Sequence, residues 1–375
     1  MSSGRFHLKL FRLLSAATVL PLLIFWPQTG LAQGRTGDVY VLKNQPTGNS
    51  VMVFHRDAAG MLTLAGTSAS GGNGAGIGPD PLGSQNPVVL SEDDRLLFAV
   101  NAGSNSISVF GVSGDQLTLL NTVSSGGVFP VSVTVRHDLV YVLNAGGTPN
   151  ISGFTIKPAT NKLVPLAGST QALPGGAGAA PAQVSFSPEG SVLVATEKGT
   201  NLIDTFTLDE GVAQPGVSFT SSGTTPFGFA FGHDNVAIVS DATGGPAGTS
   251  ALSSYAVEES GNLVVVTPAL GDTQNAACWV VVPQNGRFAY TSNTGSGTIS
   301  SYAVSDGGSL ALLEVTAASG SLPIDMALSD NSRFLYVRNA GNGTISGFRV
   351  QADGSLTPVA SATGLPAGAA GLAAR

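Results

Sequence analysis

The stretch Arg333–Val350, "RFLYVRNAGNGTISGFRV", recurs along the chain, and that recurrence limits the fold more than any other feature. Close copies begin at Arg95 ("RLLFAVNAGSNSISVFGV"), Asp138 ("DLVYVLNAGGTPNISGFTI") and Arg287 ("RFAYTSNTGSGTISSYAV"). Looser copies begin at Asp38, Ser191 and Asn235, which makes seven. The first half of each copy closes on Asn44, Asn101, Asn144, Glu197, Asp241, Asn293 or Asn339, with successive spacings of 57, 43, 53, 44, 52 and 46 residues. A period of this length marks an array of supersecondary units that bury their apolar faces only against one another.

Each unit carries four short apolar stretches. In the second they are "PVVLS", "LLFAVN", "SISVFGV" and "QLTLLNTV", separated by short turns rich in Gly, Asn and Asp. The β-branched and aromatic residues favour strands, and the turn residues tolerate the positive φ that hairpins need. The chain is 375 residues long with 50 Gly, 21 Pro and only 10% charged residues. No ten-residue stretch after the N-terminal segment keeps a helical period, so the expectation is an all-β seven-bladed propeller with four strands per blade. Opening strands begin at Pro87, Pro130, Pro181, Pro226, Ala277 and Pro323. A seventh is expected near Pro366 in "LPAGAAGLAA", while the first unit, "DVYVLKN", lacks an opening strand. The C-terminal strand therefore completes the N-terminal blade and closes the ring without a free inner edge.

Residues 1–32 read differently. Arg5, Lys9 and Arg12 precede the run "LLSAATVLPLLIFW" and the small residues ending at Ala32. This is the pattern of an export signal cut near Ala32, too short for the roughly 20 residues of a membrane span. A linker at 33–37 and the propeller at 38–375 follow, which places the mature protein in the periplasm or outside the cell. Without the signal the chain has 13 basic and 23 acidic residues, a net charge of −10. That excludes the basic face a nucleic acid needs, and no later stretch spans a membrane. The single Cys278 forms no internal disulfide, and a monomer held by its core is expected.

"YVRN" at 336–339, "YVLN" at 141–144 and "YTSN" at 290–293 resemble the Tyr-Val-Thr-Asn repeat of YVTN-type propellers. The unit as a whole resembles the seven-bladed lactonase family, which includes 6-phosphogluconolactonases and carboxymuconate cyclases. The resemblance implies a catalytic Glu at the end of a second strand, and "TEKGTN" places Glu197 there. It also implies an Arg-His pair near the opening of the same blade, where this chain has Ala182 and Gln183.

Strand direction separates two ends of the propeller. His55, His137 and His233 fall in turns at the foot, and the seven ring positions fall at the top. Asn before a Gly-containing turn suits the turn itself. The same oxygen donors suit a ligand, with Asn101, Asn144, Asn293 and Asn339 lining the mouth. Glu197 and Asp241 are candidate ligands for Ca²⁺, the one cofactor the ring could hold. Lys43 and Arg338 precede ring positions in the first and seventh blades and are candidates for a small anionic ligand. The alternative is that both pack in the gaps between blades. "GGNGAGIG" at 71–78 reads as an extended top loop, and Cys278 beside Trp279 as core. Three functions follow in order: a non-catalytic module binding a small polar or anionic ligand or another protein, a lactone hydrolase or cyclase, and a cell-surface scaffold.

Overall fold

Seven antiparallel sheets form, one for each unit of the repeat. The computed structural model describes residues 1–4, 36–76, 78–244, 247–317 and 320–375, so all but the first four residues of the expected export signal lie outside the described residues. Among the described residues no helix is long and apolar enough to cross a membrane. Blade 2, for example, runs outward through Val88–Leu90, Leu96–Asn101, Ser106–Ser113 and Gln116–Ser124. The opening strands of neighbouring blades touch all the way around the ring and enclose a central channel.

Packing follows from this order. A second strand has a blade on either face, so every residue of Leu96–Asn101, Val192–Glu197, Phe288–Asn293 and Phe334–Asn339 is buried. The outermost strands keep one side in water and carry exposed Leu64, Val217, Val264 and Leu313. The repeated tyrosine has a specific task. Tyr141, Tyr290 and Tyr336 each donate from Oη to a glycine carbonyl in a turn of the next blade: Gly211 at 2.7 Å, Gly354 at 2.9 Å and Gly60 at 2.9 Å. Thr205 and Ser254 do the same toward Gly261 and Gly308. Each bond ties a buried hydroxyl to a carbonyl that would otherwise face a neighbour unpaired.

Blade 1 is closed by Leu372–Ala374, which pairs antiparallel with Gly37–Leu42. The closing strand begins six residues after the Pro366 where the repeat spacing expects it. Pro366 has no N–H to donate, and Gly368 and Gly371 have φ of 85° and 88°, so the intervening residues turn rather than extend. Arg375 then locks the junction. Its guanidinium donates to Asp38 Oδ2 at 2.6 and 3.0 Å and to the Gly114 carbonyl at 2.7 Å, while its own carbonyl accepts from Arg56 Nη2 at 2.9 Å. Asp325 of blade 7 accepts from the Leu372 amide at 3.0 Å.

Deleting residues 372–375 removes the buried Leu372 and this hydrogen-bonded arginine, at a cost of at least about 3 kcal/mol. The deletion variant is expected to melt well below the intact chain. Tyr336→Phe, which keeps the ring and loses one bond, should cost about 1 kcal/mol in a denaturant titration. Equal melting of the deletion variant and the intact chain would show that the ring does not depend on this closure.

Candidate functional site in the central channel

A closed ring leaves the inner edge of every opening strand without a partner strand, so alternate N–H and C=O groups point into the channel. In the upper half they are met by the connector between blades 1 and 2. Residues 79–86, the segment "PDPLGSQN" just after the glycine-rich run, descend into the channel as a plug. The extended top loop expected from the sequence covers only residues 71–78, just before it.

The plug bonds to blades on several sides. Ser84 Oγ donates to the Val131 carbonyl at 2.7 Å, and the Asn86 carbonyl accepts from Val133 at 2.9 Å, both in blade 3. The Gln85 amide donates to Ala182 of blade 4 at 3.1 Å. The Gln85 carboxamide takes both backbone groups of Val280 in blade 6, donating at 2.7 Å and accepting at 3.0 Å. Trp279 Nε1 donates to the Ser84 carbonyl at 2.9 Å, and Arg338 of blade 7 donates to the Pro79 carbonyl at 3.0 Å. Lys198 donates to the Gly83 carbonyl and lies over the Phe227 ring, 4.7 Å from its centroid.

The charges of the neck belong to this plug. Asp80 accepts the Gly83 amide at 3.0 Å, and burial raises its carboxyl above the usual range while Lys198 and Arg338 oppose the rise. Burial lowers Lys198, and it lowers Arg338 to about 10. Asp325, whose φ is 61°, is pushed up to about 8 by burial. Cys278 sits at the same level, driven up to about 12 by burial, which makes it a poor nucleophile. The result is a cluster of two acids and two bases, each shifted by burial toward its neutral form, beneath the connector.

Below the plug the channel widens into a chamber of about 480 Å³ that opens at the foot. Its ceiling includes Gln85 and Gln183. The latter pairs with both backbone groups of Phe229, accepting at 2.7 Å and donating at 2.9 Å. Its wall includes Val89, Val135, Phe231, Val281 and Leu328, all half-buried. Arg136 and Glu92 face each other at 3.7 Å on the rim.

The ring positions are all fully buried. Asn101 accepts from Asn49 at 3.1 Å and from Ser70 at 2.6 Å, and donates to Ser108 at 2.8 Å. Asn144 donates to the Ser125 carbonyl at 3.2 Å and to Asn150 at 3.0 Å. Asn293 donates to Thr298 and Ser300, and Asn339 to Thr344 and Ser346, at 2.9 to 3.0 Å. Asn101 thereby joins blade 2 to blade 1, while Asn293 and Asn339 tie strand ends within their own blades. Glu197 and Asp241 do not converge. Asp241 accepts from Ser221 and Ser253 and is raised by burial to about 7. Glu197 accepts from the Gly175 amide at 3.0 Å and from Thr200, and lies beside Asp204. A Cβ on Gly175 would stand 1.9 Å from Glu197 Oε2, so the backbone itself encloses this carboxylate. No group of three or more His, Cys, Asp or Glu among the described residues is arranged to hold a metal. Arg338 is fully buried among Pro79, Asp80 and Asp325, and Lys43, partly buried on blade 1, is not among its charged neighbours. His137 and His233 lie in the turns that follow opening strands, and His55 ends a third strand, all at the foot.

A seven-bladed propeller with a plugged neck and an open lower chamber is thus the class of protein defined here. The signature of the family "Lactonase, 7-bladed beta-propeller" matches residues 49–177 and 82–370, and the chain belongs to that family. Among solved structures it is similar to the Pseudomonas aeruginosa periplasmic gluconolactonase PpgL, at 18% identity and TM-score 0.69 over 89% of this chain and 98% of that one. A Lactobacillus plantarum protein matches at 19% and 0.71 over 90% and 98%. A Bacteroides fragilis protein described as a candidate 6-phosphogluconolactonase matches at 19% and 0.69 over 90% and 97%. At these identities the likeness concerns the fold. No curated protein sequence matches the chain.

Asp204 is fully buried, accepts from Ser218 at 2.6 Å, and has its second oxygen without a donor. Burial first, and then the neighbouring Glu197, push it up to about 8, so Asp204 keeps its proton at neutral pH. The folded pKa lies above the unfolded value of about 3.9. The associated stability is therefore complete below about pH 4 and is lost as pH rises toward 8. Asp204→Asn replaces that proton by an amide N–H and should flatten that decline. Denaturant midpoints at pH 5 and pH 9 check it, and an unchanged difference between them counts against a protonated Asp204.

Proposed function

We propose that this protein is an exported member of the lactonase-family propellers that binds a small ligand in its channel rather than opening a lactone ring. The plug carries this reading. It occupies the upper channel, takes Lys198 and Arg338 onto its own carbonyls beside Asp80, and leaves the chamber at the foot as the space a ligand can enter. Two further observations support it. Glu197, in the place of the family's catalytic Glu, is enclosed by Gly175, Thr200 and Asp204. Gln183, where the Arg-His pair is expected, spends its carboxamide on the backbone of Phe229. Export is supported by the signal-like first 32 residues and by the periplasmic placement stated for PpgL.

Lactone hydrolysis is the second reading, favoured by the shifted protonation of Asp80, Lys198 and Asp325 at the neck and by the activity named for PpgL. There Lys198 would act as base or electrostatic stabiliser and Arg338 would hold a carboxylate, once the plug is displaced.

The two separate in one assay. Glucono-1,5-lactone, 6-phosphogluconolactone and a muconolactone are incubated with the protein, with and without Ca²⁺, and ring opening is followed by proton release. The expected outcome is the uncatalysed rate throughout. Turnover that disappears in Lys198→Gln but survives, within a factor of about two, the joint replacement of His55, His137 and His233 by Gln would establish hydrolysis at the neck and end the binding-only reading.

A further inference from the structure

The plug shows what chemistry the channel wall accepts. At its level the unpaired edges of two opening strands are satisfied in the same way: a primary carboxamide lies flat against one residue, donating to its carbonyl and accepting from its amide. Gln85 does this to Val280 and Gln183 to Phe229, with all four distances between 2.7 and 3.0 Å. Strand geometry repeats every two residues, so the next channel-facing backbone groups after Val280 and Phe229 are those of Val282 and Phe231. Both residues line the chamber, one step below the ceiling.

The rest of the lining narrows the choice. The wall alternates such edges with apolar side chains, Val135, Phe231, Val281 and Leu328 among them. Asn86, next to Gln85 on the lining, adds another carboxamide. The charges on the lining are Arg136 and Glu92, which face each other on the rim at 3.7 Å, with His137 Nδ1 3.0 Å from the second Glu92 oxygen. An anion or a cation in the chamber would therefore lose water without gaining a free counter-charge. The volume of about 480 Å³ lies within the range of small-molecule pockets, about 300–1,000 Å³.

We infer that the lower chamber is a binding site for an uncharged small molecule that carries a primary carboxamide on a flat ring, entering from the foot of the propeller. Its carboxamide continues the pattern of Gln85 and Gln183 against Phe231 or Val282, and its ring packs on Phe231 and Val281. This rests on reading the channel as a binding site, and it concerns the end of the propeller opposite the expected lactonase residues.

The test uses benzamide and nicotinamide as probes, with N-methylbenzamide, whose N–H points away from its C=O, and benzoate as controls, in saturation-transfer NMR and calorimetry on the full chain. The primary carboxamides are expected to bind, with N-methylbenzamide at least tenfold weaker and benzoate silent. Val281→Trp, which fills the chamber, should abolish binding with the melting temperature retained, whereas Leu64→Ser on an exposed outer strand should leave it unchanged. If Val281→Trp does not fold, Phe231→Ala takes its place, with at least a tenfold loss expected. Failure of both primary carboxamides to bind, equal binding of benzoate or N-methylbenzamide, or full binding by a folded chamber variant overturns the inference. Lactone turnover by a protein that still binds the carboxamide probes would overturn the binding-only reading and leave this one standing.

Discussion

The unpaired inner edges of seven strands are the constraint around which this protein is organised. A ring of sheets buries apolar faces well, but it directs backbone N–H and C=O groups into a narrow space, where leaving them dry and unpaired is costly. This chain answers with side-chain carboxamides and with a connector of its own. Gln85 and Gln183 act as short stand-ins for an eighth strand, and Trp279, Lys198 and Arg338 hold the connector's carbonyls in return. The charged residues at the neck are there because that connector is, and their raised or lowered pKa values follow from its burial of them.

Most of the architecture was legible because it is written several times. Four strands per blade, the opening prolines and the closure by the C-terminus all follow from a pattern that each copy confirms. The tyrosine of the repeat could be seen but not explained, since its partner is a turn glycine about 60 residues or more away, such as Gly354 for Tyr290. What occurs once was hardest to read. The plug has no second copy, and its composition resembles any loop. Two signals were nevertheless present: the spacing from Asn44 to Asn101 is 57 residues where the shortest spacing is 43, and Asp80 stands alone among glycines and prolines in a chain with few charges.

The ring positions illustrate how similar residue types serve different ends. Asn at the end of a second strand fits both a turn and a ligand site, and sequence offers no means of telling which way the carboxamide points. The structure turns Asn101, Asn293 and Asn339 inward to serine hydroxyls of their own blades, and Asn144 to the Asn150 carboxamide oxygen and the Ser125 carbonyl. Glu197 and Asp241 occupy the equivalent buried positions of their own blades with a carboxyl in place of the carboxamide. Burial pushes Asp241 up to about 7 and Asp204, beside Glu197, up to about 8.

The plug also bears on how the molecule is made. In an open array of repeats each unit needs only its neighbours, and folding can begin anywhere and spread. Here residues 79–86 leave the second blade's doorstep to bond with blades 3, 4, 6 and 7, and Gln85 meets Val280 across 195 positions of chain. These bonds have nowhere to form until the ring around them exists, and the ring in turn waits for Leu372–Ala374 to pair with blade 1. Assembly is thereby deferred to the end: blades form locally, but the final commitment is a single late, concerted event with high contact order. A chain that crosses a membrane before folding would gain from that delay, because nothing irreversible happens until all of it has arrived.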